Sequence, residues 1–278
     1  MKRIVTVQDV SCIGKCSLTV ALPILSAMGL ETAVLPTAVL STHTAFDGFT
    51  FRDLTENMTG ILRHWKEQQF TFDAIYTGYL GSADQMRHVS DLIRDFRGDD
   101  TLVLIDPVMG DHGKLYPNFT DEFAKKMAVF CGQADVIVPN MTEAAALLGI
   151  PYAERHNEEE IREMLRKLTD LGPKQAVLTG VSFTPDTLGV MAYDRVTDQY
   201  FRCFRPHIPR IFYGTGDAFS SVLAGALTRG ESLEDALTLA VDFTVTAMKR
   251  TVDDPSAGWY GVNFEEALPL LLVKEQPW

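Results

Sequence analysis

The sequence is poor in cysteine and in positive charge, and it lacks any long hydrophobic run. Only Cys12, Cys16, Cys131 and Cys203 carry thiols among 278 residues, in no paired spacing. They are too few to staple a chain of this size and fit no zinc motif, so reduced thiols in a cytoplasmic protein are expected. Six scattered histidines argue equally against a transition-metal centre built by the protein alone. A formal net charge of -12 leaves no basic surplus to neutralise phosphates, which speaks against nucleic acid or anionic membrane as partners. No apolar stretch reaches membrane-spanning length. Met1-Lys-Arg-Ile-Val-Thr-Val7 passes from two charges straight into a strand, too short an apolar segment for a signal-peptide core. Also missing are the phosphate loop Gly-x-x-x-x-Gly-Lys-Ser/Thr and the protein-kinase signatures. No repeat or linker marks a second domain, so residues 1–278 are expected to form one.

What is present is the composition of a soluble globular protein, with 46% hydrophobic and 22% charged residues, and a regular alternation of strands and helices. Ile4-Val-Thr-Val7, Thr32 to Pro36, Ala74-Ile-Tyr-Thr77, Thr101-Leu-Val-Leu-Ile105, Asp135-Val-Ile-Val138 and Gln175-Ala-Val-Leu-Thr179 read as buried strands. Helices are expected over Leu18 to Met28, Asp53 to Glu67, Ala83 to Phe96, Asp121 to Phe130, a segment through Leu148 capped by Thr142, Glu158 to Leu171, the run after Gly216, and Leu233 to Lys249. Leu188 to Tyr193 and Gln199 to Phe204 look like a strand pair forming an antiparallel edge on a mainly parallel sheet. The tail from Asp253 to Trp278 reads as a polar loop and one short helix.

Polar groups fall where such a sheet would gather them. Asp9, Gly78-Tyr79, Asp106 with Asp111, Asn140 with Glu143, Thr179 and Gly214 to Asp217 all follow strand ends or open helices, and in a parallel sheet those positions converge on one edge. In Gly214-Thr-Gly-Asp217, glycines let the backbone approach a ligand, the helix start favours an anion, and the carboxylate can accept a proton from an attacking hydroxyl. The same four residues also read as a glycine-rich helix cap. Three acids together, Asp106, Asp111 and Glu143, would repel one another without a cation, and Mg²⁺ held mainly through water and nucleotide phosphates suits them. Phosphoryl transfer uses all these parts.

The Gly214-Thr-Gly-Asp217 segment resembles the anion hole of ribokinase-like small-molecule kinases. Thr77-Gly-Tyr-Leu-Gly-Ser82, Ile105-Asp-Pro-Val-Met-Gly-Asp111, Val138-Pro-Asn-Met-Thr-Glu143 and Ser41-Thr-His-Thr44 are similar to the pyridoxal kinase branch, which phosphorylates the 5′-hydroxymethyl of vitamin B6. The resemblance implies a three-layer α/β/α sandwich with a mainly parallel sheet. It implies Asp217 as catalytic base, with Gly214, Thr215 and Gly216 stabilising the transferring phosphoryl group, and Asp9, His43, Thr44 and Tyr79 as substrate contacts. For ATP it implies Asn140, Tyr116, Thr179 and Asp111, and for the metal Asp106, Asp111 and Glu143. A monovalent cation such as K⁺ and a homodimer belong to the same expectation.

Two departures bear on the substrate. Pyridoxal kinases often carry serine where Asp9 stands, and aspartate there is also used by hydroxymethylpyrimidine kinases, which keeps a pyrimidine or dual-specificity kinase as the alternative. Against it stands Asp217, since that group commonly has cysteine at this position. The loop over the ring is Gly14-Lys-Cys-Ser-Leu18 where the family has Gly-Tyr-x-Gly-Asn, so Lys15 is expected either in solvent or on a substrate oxygen. A catalytically idle vitamer-binding protein is the reading from another class, opposed by the intact Asp217.

Overall fold

A computed structural model of the chain describes residues 1–272. The amino-terminal half contains β1 (Arg3–Ser11), α1 (Leu18–Ala27), β2 (Glu31–Leu40), β3 (Phe51–Asp53), α2 (Thr55–Glu67), β4 (Ala74–Thr77), α3 (Ala83–Phe96) and β5 (Leu102–Ile105). There follow β6 (Gly110–Asp111), β7 (Lys114–Leu115), α4 (Asp121–Cys131), β8 (Val136–Ile137), α5 (Met141–Leu148), α6 (Glu158–Asp170) and β9 (Gln175–Thr184). β10 (Thr187–Asp194), β11 (Gln199–Pro206), α7 (Thr215–Arg229), α8 (Leu233–Asp253) and a 3₁₀ helix (Phe264–Leu271) complete the described chain.

Nine strands form one sheet in the order β11-β10-β9-β8-β5-β4-β1-β2-β3. From β9 through β2 every pairing is parallel, whereas β10 and β11 at one edge and β3 at the other are antiparallel. Strand side chains alternate between two cores. Val5, Val7, Ile75, Val103 and Ile105 pack with residues of α2 to α6, such as Met58, Val89, Met127 and Leu165. Ile4, Tyr76 and Leu104 pack on the other side with Ile24 of α1, Val222 of α7 and Leu237 of α8. The expected three-layer α/β/α architecture therefore holds.

Helix starts follow the sequence where a cap is present. Ser82, Thr120 and Ser232 each accept the amide three residues on, opening α3, α4 and α8. The expected cap at Thr142 is displaced: α5 starts at Asn140, whose side chain and that of Glu143 form a reciprocal capping box. The helix expected from Asp53 begins at Thr55, because Phe51–Asp53 pairs with β2 as an edge strand. No described helix is long and apolar enough to cross a membrane.

Two features aim the edge that matters. β1 has β2 on one side and β4 on the other, so the chain reverses direction across it, and the crevice beyond the ends of β1 and β4 is the ligand position of open parallel sheets. β1 also runs four residues past Val7. Gln8 faces Pro36 and Val10 faces Val39, so Thr37 and Ala38 of β2 together oppose Asp9 across a bulge. Asp9 thus stays inside a paired, buried strand rather than in the loop after it.

Candidate active site

The segment expected to be catalytic, Gly214 to Asp217, is a helix start without a side-chain cap. Gly214 occupies the N-cap of α7 with φ 75° and ψ 5°, and no side chain closes the first turn. Its amides and dipole are left for an anion. A side chain on Gly216 would meet nothing within 4 Å, so the space over the first turn is open. Asp217 lies in this turn, half-buried. Burial and the nearby Asp9 carboxylate push it up to about 6, while the Ser17 N–H holds it down.

Asp9 is 5% exposed. Its carboxylate accepts the Ser11 hydroxyl at 3.0 Å, and burial raises its pKa. Tyr79, half-buried after β4, has its phenol pKa raised by burial and by Asp9. Cys16 lies between the two acids. Burial and Asp217 push its thiol up to about 12, so it stays protonated.

A second group of acids lies along β5 and the segment behind it. Asp106 accepts the Ser220 hydroxyl at 2.7 Å, and burial, with Asp217 nearby, raises it to about 7. Glu143 is also buried, and its pKa is driven well up by burial and then by Asp106. Its Oε1 accepts the Met109 amide at 3.1 Å and its Oε2 the Asn140 amide at 2.8 Å. Asp111 is exposed on the β6–β7 hairpin and accepts the His112 amide at 2.7 Å. The phenol of Tyr116 faces Glu143, Asp111, Asp217 and Asp106, which with burial raises its pKa. Thr179 forms a parallel bridge with Asn140. Among the described residues no three acidic, histidine or cysteine side chains are placed to hold a metal ion by themselves.

The structure gives several of the expected site residues partners within the protein. The Asn140 Oδ1 accepts the Glu143 amide at 2.9 Å and one Nδ2 hydrogen goes to Gly110 O at 2.8 Å, which fixes the loop carrying Asp111. Each Glu143 oxygen accepts one backbone amide and keeps a lone pair for a further partner. His43 accepts the Ala45 N–H through Nδ1 at 3.1 Å, so Nε2 carries the proton and donates to Tyr260 O at 3.0 Å. Burial lowers its pKa, and the neutral ring stacks on Tyr213 at 5.3 Å. These contacts fix the ring's orientation, and the neighbouring Thr44 is exposed. Lys15 is neither solvated nor turned to the substrate crevice: its Nζ reaches Asn263 Oδ1 and Glu265 Oε2, each at 2.9 Å.

Sequence reasoning missed Ser220, although it stands three residues after Asp217 on the same helix and so on the same face.

Comparison with known proteins follows from this geometry. The profile of the family described as phosphomethylpyrimidine kinase matches residues 31–259. A Bacteroides thetaiotaomicron protein assigned to the phosphomethylpyrimidine kinases is 44% identical, with 99% of this chain and 96% of that one covered at a TM-score of 0.95. A second crystal form of it, with pyridoxal, gives 0.93 over 99% of this chain and 97% of that one. The pyridoxal kinase of Lactobacillus plantarum is 32% identical over 98% of this chain and 96% of its own, at a TM-score of 0.89. An Arabidopsis thaliana pyridoxal kinase is 25% identical across 99% of this chain and 90% of its own length.

Proposed function

Because the chain belongs to the phosphomethylpyrimidine kinase family, on the pyridoxal kinase branch of the ribokinase-like superfamily, and is thus a phosphotransferase, we propose that it phosphorylates B6 vitamers. The reaction is transfer of the ATP γ-phosphoryl group to the 5′-hydroxymethyl oxygen of pyridoxal, pyridoxine or pyridoxamine. One observation carries the reading: a carboxylate raised to about 6, Asp217, at an uncapped helix start and within electrostatic reach of the buried Asp9. Asp217 takes the hydroxyl proton as the alcohol oxygen bonds to phosphorus and the bond to the β-phosphate oxygen breaks, with the electron pair leaving on ADP. The α7 amides at Gly214, Thr215 and Gly216 face the charge that builds on the transferring group. Asp9 pairs with the protonated ring nitrogen, a charge-assisted bond stronger than a hydroxyl would make, and Tyr79 bounds the ring.

The nucleotide lies on the side of Asp111, Tyr116 and Thr179, with Asn140 holding the loop. Two buried, mutually repelling carboxylates, Asp106 and Glu143, suit a cation whose remaining ligands are water and phosphate oxygens. Bound Mg²⁺ would neutralise developing phosphate charge; a monovalent ion such as K⁺ belongs to the same region. The reading extends to residues 1–278 as one kinase domain, working as a homodimer in the cytoplasm.

Turnover of ATP with each of the three vitamers and with hydroxymethylpyrimidine, measured side by side, tests the assignment. Preference for the pyrimidine would replace it with that kinase, and absence of any ATP-dependent product would leave a vitamer-binding protein. Asp9→Ala should raise KM for the vitamer about tenfold or more while KM for ATP stays within about twofold. An equal effect on both would make Asp9 structural.

The acid pair also predicts a pH-dependent response to metal. Both folded pKa values lie above their unfolded ones, so the pair's contribution to stability is present at low pH and falls as pH rises, that of Asp106 being lost through about 7. A cation binds the ionised form. Mg²⁺ should therefore raise the melting temperature more at pH 8 than at pH 6, and an equal rise at both would remove Asp106 and Glu143 from the metal's surroundings.

A further inference from the structure

We propose that Gln85 is a positioning residue that sets the Tyr79 ring, and through it the vitamer side of the site, by clamping the turn after β4 to the bulge opposite Asp9. The proposal rests on the functional reading above and names a residue that reading does not use.

Ser82-Ala-Asp-Gln85 has the spacing of a reciprocal capping box, in which the glutamine side chain returns to the Ser82 N–H. Half of that arrangement is in place, since Ser82 Oγ accepts the Gln85 amide at 3.2 Å. The Gln85 side chain reaches further. Its Oε1 accepts the Gly81 N–H, one residue before the cap, at 2.8 Å. Its Nε2 faces Thr55 Oγ1 at 3.0 Å, Thr37 O at 3.1 Å and Asp53 Oδ2 at 3.3 Å. Two amide hydrogens thus meet three acceptors. The residue is 1% exposed, and an amide so far from water is costly to bury without such partners.

The partners belong to separate elements around the substrate side. Thr37 is one of the two β2 residues that oppose Asp9, and its carbonyl also accepts the Leu54 N–H at 3.0 Å. Asp53 ends β3, and its Oδ1 accepts the Thr55 N–H at 2.8 Å where α2 opens. Gly81 follows Tyr79 by two residues. A methyl on Gly81 would stand 3.5 Å from both Cε1 and the hydroxyl oxygen of Tyr79, and 3.7 Å from Gln85 Oε1. The phenol end of the ring therefore lies against the backbone that Gln85 holds. The Thr37 hydroxyl donates to Tyr79 O at 3.4 Å, and the ring packs on Phe119 with centroids 5.6 Å apart. One buried amide thus ties the Tyr79 turn to the strand that faces Asp9.

Gln85→Met keeps the length of the side chain and removes its hydrogen bonds. KM for the vitamer should rise about tenfold, with KM for ATP within about twofold of wild type. A glutamine that only stabilised the fold would lower the melting temperature and leave the ratio of the two KM values alone. Tyr79→Ala should also raise the vitamer KM, and adding Gln85→Met to it should raise it no further, because the ring through which Gln85 acts is gone. Thr37→Val, close to isosteric, removes only the hydroxyl on Tyr79 O and should raise the vitamer KM about threefold even if Gln85→Met folds poorly. Unchanged vitamer KM in Gln85→Met and Thr37→Val, or additive effects of Gln85→Met and Tyr79→Ala, would overturn the proposal. Amide exchange in the free protein, followed by NMR, reads the clamp without substrate. In Gln85→Met the Gly81 N–H should exchange about tenfold faster, while the Ile75 and Tyr76 amides of the central β4 stay slow. An unchanged Gly81 rate sinks the clamp whatever alcohol the enzyme accepts. Lack of vitamer turnover by the wild-type protein sinks only the functional reading.

Discussion

Asp217→Asn is expected to lower kcat by roughly 10²–10⁴ while leaving ATP affinity close to wild type. Asparagine matches aspartate in shape, but it cannot take a proton from the attacking hydroxyl. The carboxylate is well suited to that task, because a pKa of about 6 leaves it mostly ionised at neutral pH yet basic enough to bind a proton. Burial and the Asp9 charge raise it, and the Ser17 amide prevents a larger rise. Single-turnover kinetics with bound ATP, alongside nucleotide titration, separates the chemical step from binding. Near wild-type turnover by the variant would show that another group accepts the proton.

The second large effect belongs to Gly214. Gly214→Ala should destabilise the protein by about 1–3 kcal/mol from the backbone conformation alone and cut kcat by on the order of 10² through displacement of the base. The residue has φ +75°, and its added methyl would run into the Lys15 carbonyl. Either α7 shifts or the loop before α1 does. Gly216→Ala provides the contrast, since its methyl would enter open space and its backbone lies outside the left-handed region. That variant should keep its melting temperature and lose turnover by obstructing the phosphoryl group. Equal melting temperatures for wild type and Gly214→Ala would contradict the packing described at this helix start.

The layered architecture and the converging strand ends were legible because they rest on local periodicity. α3 was read at Ala83–Phe96 as found, since its apolar spacing and Ser82 lie side by side in the chain. Strand ends were less legible. β1 reads as finished at Val7, where the apolar run stops, yet Gln8 to Ser11 continue because β2 supplies their partners. β3 and the β6–β7 hairpin escaped notice for the same reason, each being two or three residues long and defined by pairing. Only His112-Gly113, both left-handed, hint at the hairpin's turn. At the site, Asp9, Asp106 and Asp217 were found from residue type at a strand end or helix start. The true engagements of His43, Asn140 and Lys15 depend on Tyr260, Gly110, Asn263 and Glu265, and no local pattern announces a partner that distant.

The bulge opposite Asp9 limits what a substitution at that position can change. Its extra residue is on β2, so the backbone of β1 stays paired on either side of position 9 and that side chain's direction is set by strand geometry. A change of residue there alters charge and reach without re-aiming the group or moving Asp217. Because the Asp9 charge helps raise Asp217, a substitution in this fixed socket would retune the neighbouring carboxyl as well as the ring contact.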